Sequence, residues 1–98
     1  MNIINFPVEE ESDIRLRISK GKKVFSVRVS REYGRYKKGD ELRTEWGDKL
    51  LVSDVIKISG GVEELREKYV FFRELNERML SEIKPYKEMD ILTLSPTA

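Results

Sequence analysis

Hydrophobic and polar residues alternate through the middle of the chain, as they do along β-strands. The clearest run is 24–29, where Phe25 and Val27 share one face and Ser26 and Arg28 share the other. A strand with one buried face needs neither a serine nor an arginine on the opposite face. The pattern therefore predicts a strand and leaves open what its polar face does.

Two further strands are predicted at 41–46 and 49–58, separated by Gly47-Asp48, a dipeptide typical of hairpin turns. The second of these strands is apolar enough to be central in a sheet. Residues 89–94 (MDILTL) supply a last short strand.

A helical period replaces the alternation between Val62 and Ile83, where apolar residues recur every three or four positions. One face of this helix is expected to pack on the sheet. Pro85 ends the helical segment, because proline lacks the backbone donor that a helix needs. A break near 68–72 (KYVFF) would divide the segment into two helices.

The N-terminal pattern fits two structures. Residues 1–11 are predicted to be a loose or edge segment, and 95–98 a tail. Ile14 and Ile18 lie four residues apart, as on a helix, but the window around them also alternates like a strand. The whole order of elements predicts a small α+β fold, built as a strongly bent sheet or barrel with one main helical segment.

Composition excludes several classes of function. A chain of 98 residues has room for a single domain, 1–98. It contains no cysteine and no histidine, which excludes disulfides, a zinc site and a Ser-His-Asp hydrolase. No apolar run reaches the roughly 18 residues of a membrane span, and the N-terminus lacks a signal-peptide pattern. We therefore expect a cytoplasmic protein with no metal, no cofactor and no membrane association. Its charge-rich composition, without glutamine, is typical of heat-adapted proteins.

The net charge of +1 conceals a segregation of charge. Residues 15–38 contain ten of the nineteen Lys and Arg residues but only one of the eighteen acidic residues, Glu32. Tyr33 and Tyr36 lie among these basic residues. Because basic residues contact phosphates and exposed aromatics stack on unpaired bases, this segment favours RNA. Alternatively, the loop is merely solvated and its tyrosines pack on the core; Trp46 is likewise more typical of packing than of stacking.

Lys23, Ser26 and Arg28 are the candidate site. Ser26 and Arg28 project from the same side of a strand, and Lys23 joins them only if it belongs to a turn permitted by Gly21. Without histidine, a lysine can act as the base and a neighbouring serine hydroxyl as the nucleophile. An arginine can orient an anionic group. The alternative is a solvent-facing strand after a charged turn.

The segment SKGKKVFSVRVSREYGRYKKGDEL, followed by a hairpin and a helix, resembles the ASCH domain family of the PUA-like superfamily. Gly21, Lys23 and Arg28 fit the family signature, as does the Gly-Asp turn in KKGDEL. The resemblance implies a small PUA-like β-barrel with mixed or antiparallel strands and a short N-terminal helix over DIRLRIS. Ser26 departs from the family, which mostly carries glutamate there.

The resemblance implies binding of RNA or a modified nucleoside in a cleft of the barrel. The predicted contact residues are Gly21, Lys22, Arg28, Arg31, Arg35, Tyr36 and Lys37. A bacterial amidohydrolase subgroup, which acts on N4-acylcytidine, carries threonine at the position of Ser26. Its likeness implies an alternative enzyme with Lys23 as base, Ser26 as nucleophile and Glu74, or else Glu67, as partner.

Two further alternatives remain open. Some members of the family are nucleases, and a plain protein-interaction module would use the acidic face of the predicted helix. The acidic residues of that face are Glu63, Glu64, Glu67, Glu74, Glu77 and Glu82. Because this face would repel phosphate, any nucleic-acid surface is expected to lie away from it.

Overall fold

The computed structural model describes residues 2–69 and 77–97 as an α+β fold with a five-stranded mixed sheet. Within these ranges the chain contains five strands, three α-helices and one 3₁₀ turn. In chain order they are β1 (Asn2–Ile4), α1 (Val8–Ser19), β2 (Val24–Val29), the 3₁₀ turn (Ser30–Glu32), β3 (Glu41–Thr44), β4 (Lys49–Ile58), α2 (Gly61–Lys68), α3 (Glu77–Ile83) and β5 (Met89–Pro96).

The strands are ordered β1-β3-β4-β5-β2 in the sheet. β1 runs parallel to β3, with Ile4 opposite Thr44, whereas β3 runs antiparallel to β4, with Leu42 opposite Leu50. The predicted α+β class and mixed sheet are thereby confirmed. Among the described residues the sheet is open between its two end strands, β1 and β2, so closure into a barrel stays a prediction.

The N-terminal segment is more ordered than the sequence predicts. The helical interpretation of 13–19 is confirmed, but α1 already begins at Val8, and β1 precedes it. Pro7 stands at the helix start and Glu9–Glu11 fill the first turn, where negative charge is favoured by the helix dipole. Of the two expectations for 1–11, the edge position agrees with β1, which is an end strand of the sheet, whereas a loose segment does not agree with the helix that begins at Val8.

The other predicted elements are found with small changes of boundary. β4 has the bounds that the sequence predicts, whereas β3 ends at Thr44 because Gly47 N–H bonds to the carbonyl of Thr44 (3.1 Å) and closes the turn. The helical segment is interrupted, as the break near 68–72 suggested: α2 ends at Lys68, and Tyr69 is extended. The rest of that break lies outside the described residues.

Two compact units make up the described chain, each with its own core. The first comprises Met1–Ser26, Tyr36–Val55 and Leu92–Ala98. Its buried core contains Ile4, Ile14, Val24, Tyr36, Leu42, Leu50, Val52, Leu92 and Leu94. The second comprises Val27–Arg35 and Ile56–Ile91. Its buried core contains Ile58, Leu65, Ile83, Met89 and Ile91.

Candidate nucleic-acid interface

The turn at Gly21 joins α1 to β2 with a fixed geometry. Gly21 has a φ of +69°, a conformation that side-chain-bearing residues rarely adopt. Its N–H donates to the carbonyl of Ile18, and the N–H of Lys22 donates to the carbonyl of Arg17, each at 2.9 Å. These two bonds form a Schellman motif, which satisfies carbonyls that the end of the helix would otherwise leave unpaired.

Arg17 adds a second constraint on the same turn. Its Nε and Nη2 atoms donate to the carbonyl oxygen of Lys23 at 3.1 and 3.0 Å. The planar guanidinium provides both donors at once, so the contact fixes direction as well as distance. The backbone of Lys23 is thereby bound, while its side chain remains exposed.

Three exposed lysines, Lys20, Lys22 and Lys23, surround this turn. Positive charge at the C-terminal end of α1 is favourable to the helix dipole, which is one reason for lysines in this position. The same charges lie on a backbone held by the Gly21 and Arg17 hydrogen bonds. The turn therefore presents cations from a rigid support.

The two faces of β2 are unequally exposed. Val24 and Arg28 are buried and Ser26 is half-buried, whereas Phe25 on the opposite face is 42% exposed. Because Arg28 is buried and Ser26 is half-buried, the solvent-facing interpretation of their face was wrong. Val27 and Val29, on the face of Phe25, are also half-buried and pack against the core of the second unit. Phe25, which the sequence did not single out, is the exposed aromatic residue of this strand.

Arg28 belongs to the second unit and is paired there. Its side chain is 8% exposed, and its Nη1 lies 2.8 Å from Oε2 of Glu32. Oε1 of the same glutamate is 3.9 Å from Nη1 of the exposed Arg35. Glu32, the one acidic residue of the basic segment, therefore compensates the buried guanidinium, as a charge removed from water requires.

The loop after β2 is attached to its unit by two contacts. The N–H of Gly34 donates to Oδ2 of the buried Asp90 at 2.7 Å. Nζ of Lys57 lies 4.6 Å from the centre of the Tyr33 ring, a cation–π distance. Arg31, on the 3₁₀ turn of this loop, is exposed, as the RNA hypothesis requires of a contact residue.

Of the two predicted contact residues in the next segment, Tyr36 is buried and Lys37 is exposed. Tyr36 is 2% exposed and packs in the core of the first unit, so its ring is not accessible to a base. Lys37 is exposed, and its backbone N–H donates to Oδ2 of Asp40 at 2.9 Å. The Gly-Asp turn that supports the family resemblance is thus formed, with Asp40 bonding its own loop.

The structure describes two of the three predicted catalytic residues. Lys23 is exposed just before β2, and Ser26 is half-buried within it. Glu74 lies outside the described residues, and Glu67, the other candidate partner, is exposed on α2. No cluster of three or more residues suited to hold a metal ion occurs within 2–69 and 77–97.

None of the helices in the described ranges has the length and hydrophobicity that a membrane crossing requires.

Trp46 packs against the core of the first unit, with its ring centre 6.2 Å from that of Phe6. The predicted packing role of Trp46 is therefore confirmed.

The sequence did not single out two residues of this candidate interface, Arg17 and Phe25. In the sequence, Arg17 looks like any other arginine of the helix. Its side chain binds a carbonyl six residues away, and no residue pattern predicts that contact. Phe25 lies in a strand with valine on both faces, so alternation does not show which face is inward.

Comparison of the chain with protein-family models, with curated proteins and with solved structures finds no match. Membership of the ASCH family therefore stays a prediction that depends on the motif residues themselves.

Proposed function

We propose that the chain binds single-stranded RNA at the turn between α1 and β2. One observation carries the proposal: exposed Lys20, Lys22 and Lys23 surround a turn held by hydrogen bonds, and exposed Phe25 follows two residues later. Lysines supply charge for phosphates, and an exposed ring supplies a surface on which an unpaired base stacks. A turn that is already ordered loses less conformational entropy when a ligand binds.

The resemblance to ASCH domains supports the same assignment, because RNA binding is a function of the PUA-like superfamily. A PUA-like barrel is part of this proposal. The mixed sheet, the helix before β2 and the turns at Gly21 and Asp40 support this part of the proposal.

Charge reversal at the turn tests the proposal. The double variant Lys22→Glu/Lys23→Glu is compared with Lys84→Glu/Lys87→Glu, which makes the same charge change at exposed lysines of the second unit. Fluorescence anisotropy of a labelled RNA hexamer gives the affinity at several salt concentrations. We expect the turn variant to bind at least about tenfold more weakly and to show a shallower salt dependence, by roughly 0.7 for each phosphate that it no longer neutralises. Equal losses in both variants, or no binding by the native chain, would refute the proposal.

The stacking role of Phe25 is tested with a matched aromatic residue. Phe25→Ala removes an exposed ring beside the turn, and Tyr86→Ala removes a similarly exposed ring in the second unit. Base stacking on an aromatic side chain contributes about 1–3 kcal/mol per base. We expect a loss of affinity of that size from the first variant and little change from the second. The assignment fails if the two variants bind RNA equally well.

An amidohydrolase acting on N4-acylcytidine is the second candidate. It is favoured by half-buried Ser26 on β2, three residues after Lys23 in the turn. This function requires that Lys23→Ala and Ser26→Ala each abolish release of acetate from N4-acetylcytidine, while Ser26→Thr retains it. Unchanged turnover in Ser26→Ala would exclude Ser26 as the nucleophile.

The nuclease and interaction-module hypotheses stay predictions. Degradation of the RNA hexamer by the native chain would support the first. For the second, one residue of the acidic face already has a structural role, because Glu64 accepts hydrogen bonds from the backbone N–H groups of Ser59 and Gly60.

A further inference from the structure

A broad, open groove runs along α1 within the first unit. It has a volume of about 1060 Å³, comparable to the roughly 300–1000 Å³ of small-molecule sites. Its walls include Glu11, Arg15, Leu16, Gly21, Asp48 and Pro96. Because Gly21 lines the groove, the groove adjoins the turn that carries the three lysines.

Arg15 is one of the residues that line this groove. The central carbon of its guanidinium lies 5.6 Å from the centre of the Trp46 ring, over its face. Nη1 is also 3.1 Å from Oε1 of Glu11, one helical turn earlier. The contacts with Trp46 and Glu11 restrain the guanidinium. The Arg15 side chain is still 56% exposed, so its guanidinium is accessible to a flat ligand, and guanidinium planes are a common support for stacked bases.

Asp48 provides a fixed hydrogen-bond acceptor in the same groove. Its Oδ2 accepts the indole N–H of Trp46 at 2.6 Å, and its backbone N–H donates to Oγ1 of Thr44 at 3.0 Å. A carboxylate has about four acceptor positions, so these contacts orient Asp48 without exhausting its capacity. Glu11 adds a second carboxylate to the lining.

Together these groups match a nucleobase that carries an exocyclic amine. A carboxylate accepts N–H donors and repels carbonyl oxygens. The Watson–Crick edge of guanine has two adjacent N–H donors, which can pair with the two oxygens of one carboxylate. Uracil presents a single N–H between two carbonyls, so it suits the groove least. Exposed Leu16 offers apolar contact beside the ring.

We infer that this groove binds one base of the RNA, with guanine preferred. The base stacks on the guanidinium of Arg15 and donates its amine edge to Asp48, while the phosphates on either side contact the lysines at the Gly21 turn. The inference rests on the proposed RNA binding and adds base selectivity to it.

Singly substituted hexamers test the inference on the full chain. The affinities of UUUUUU, UUGUUU, UUCUUU and UUAUUU are measured by fluorescence anisotropy at one salt concentration. We expect UUGUUU to bind at least about tenfold more tightly than UUUUUU, with the other two hexamers between them.

Two variants then locate the selectivity. Asp48→Asn has the size of the native side chain but replaces one acceptor oxygen with an amide NH2 donor, so it cannot accept both N–H donors of the guanine edge. It should reduce the preference for UUGUUU to less than about threefold. Arg15→Lys keeps the charge but removes the planar surface, and it should weaken UUGUUU by about fivefold or more without changing the salt dependence. Thermal unfolding of both variants verifies that they are folded.

The outcomes separate the two proposals. If UUUUUU binds through the lysines but all four hexamers bind equally, base recognition in the groove is wrong and RNA binding stands. If selectivity is found but survives both substitutions, the base is read elsewhere and the groove inference is again wrong. If no hexamer binds, both the groove inference and the proposed function are overturned.

Discussion

Nζ of Lys57 lies 2.8 Å from Oδ1 of Asp90, whose side chain is fully buried while the lysine side chain remains 55% exposed. This contact is an ion pair rather than a well-directed hydrogen bond, because Oδ1 has no hydrogen bond of good geometry among the described residues. Oδ2 accepts the N–H of Gly34 at 2.7 Å. The carboxylate at the start of β5 thus connects β4 to the loop that follows β2, all within the second unit.

Removal of the Asp90 carboxylate should destabilise the chain strongly. Asp90→Ala leaves the Gly34 N–H without its acceptor and creates a small cavity, and we expect the free energy of unfolding to fall by about 3 kcal/mol. Asp90→Asn keeps an acceptor for Gly34 and should cost less. Urea denaturation measures both values. A loss below about 0.5 kcal/mol in Asp90→Ala would show that the contact does not stabilise the loop.

Lys57→Met tests the same ion pair by removing its cation. It keeps much of the apolar stem but leaves the buried carboxylate without its cation. Since Lys57 is half exposed, solvent screens part of the attraction, and we expect a loss of about 1–2 kcal/mol. Lys87→Met, at an exposed lysine of the same unit, is the control and should have no measurable effect in urea denaturation.

Glu64 should make stability depend on pH in the acid range. The hydrogen bond from the Gly60 N–H, together with contacts to Ser59 and Lys68, lowers the pKa of Glu64 below its ordinary value of 4.5. The unfolded chain therefore takes up this proton at a higher pH than the folded chain. The stabilisation is complete above about pH 5 and is lost as the pH falls through the lowered pKa of the folded state.

The variant Glu64→Gln should accordingly lose less stability than the native chain when the pH falls from about 6 to 3. Glu63→Gln, one residue earlier on the exposed surface of α2, makes the same charge change and is the matched control. Urea denaturation at each pH gives the comparison. Identical slopes for the native chain and Glu64→Gln would contradict the role assigned to Glu64.

Gly21→Ala tests the turn through backbone conformation alone. A Cβ atom at Gly21 would meet no atom within 4 Å, so the expected cost comes from the positive φ and not from a clash. We expect the free energy of unfolding to fall by about 1–2 kcal/mol. Asparagine adopts this conformation more readily, and Gly21→Asn should therefore cost less. An equal cost for both variants in urea denaturation would point to a cause other than φ.

Arg17→Lys tests whether an ordered turn matters for RNA binding. The variant keeps the positive charge but removes the two-donor contact with the Lys23 carbonyl. We expect a loss of up to about 1 kcal/mol in stability and a few-fold weaker RNA binding with an unchanged salt dependence. Arg43→Lys, at an exposed position of β3, is the matched control. Native affinity in Arg17→Lys would mean that the order of the turn contributes nothing to binding.

The elements that the sequence predicts correctly are those marked by a pattern of neighbouring residues. The bounds of β4 follow from a long apolar run between two turns, and the end of α1 follows from Gly21. β1 was missed because a three-residue strand has almost no pattern of its own and forms by parallel pairing with β3, about forty residues away. Pro7 with Glu9–Glu11 is a helix-start signal, but the mixed period of the residues that follow obscured it.

The candidate site was predicted less completely than the fold. The turn at Gly21 was predicted, because a glycine between charged residues is a local signal of a turn, and the structure contains it. The sequence could not show that Arg28 is buried against Glu32, since the buried face of β2 is decided by packing. Nor could it show that Arg15 lies over Trp46, a contact between residues that are distant in the chain.

β2 is an end strand of the described sheet, and this position affects how the lysines can be altered. End strands are where further copies of a chain most readily add and begin to aggregate, and nearby lysines oppose this by mutual repulsion. Neutral replacements of Lys22 and Lys23 would remove this protection and promote self-association at high concentration. Glutamate replacements preserve repulsion between copies, which makes them the better choice for purified samples.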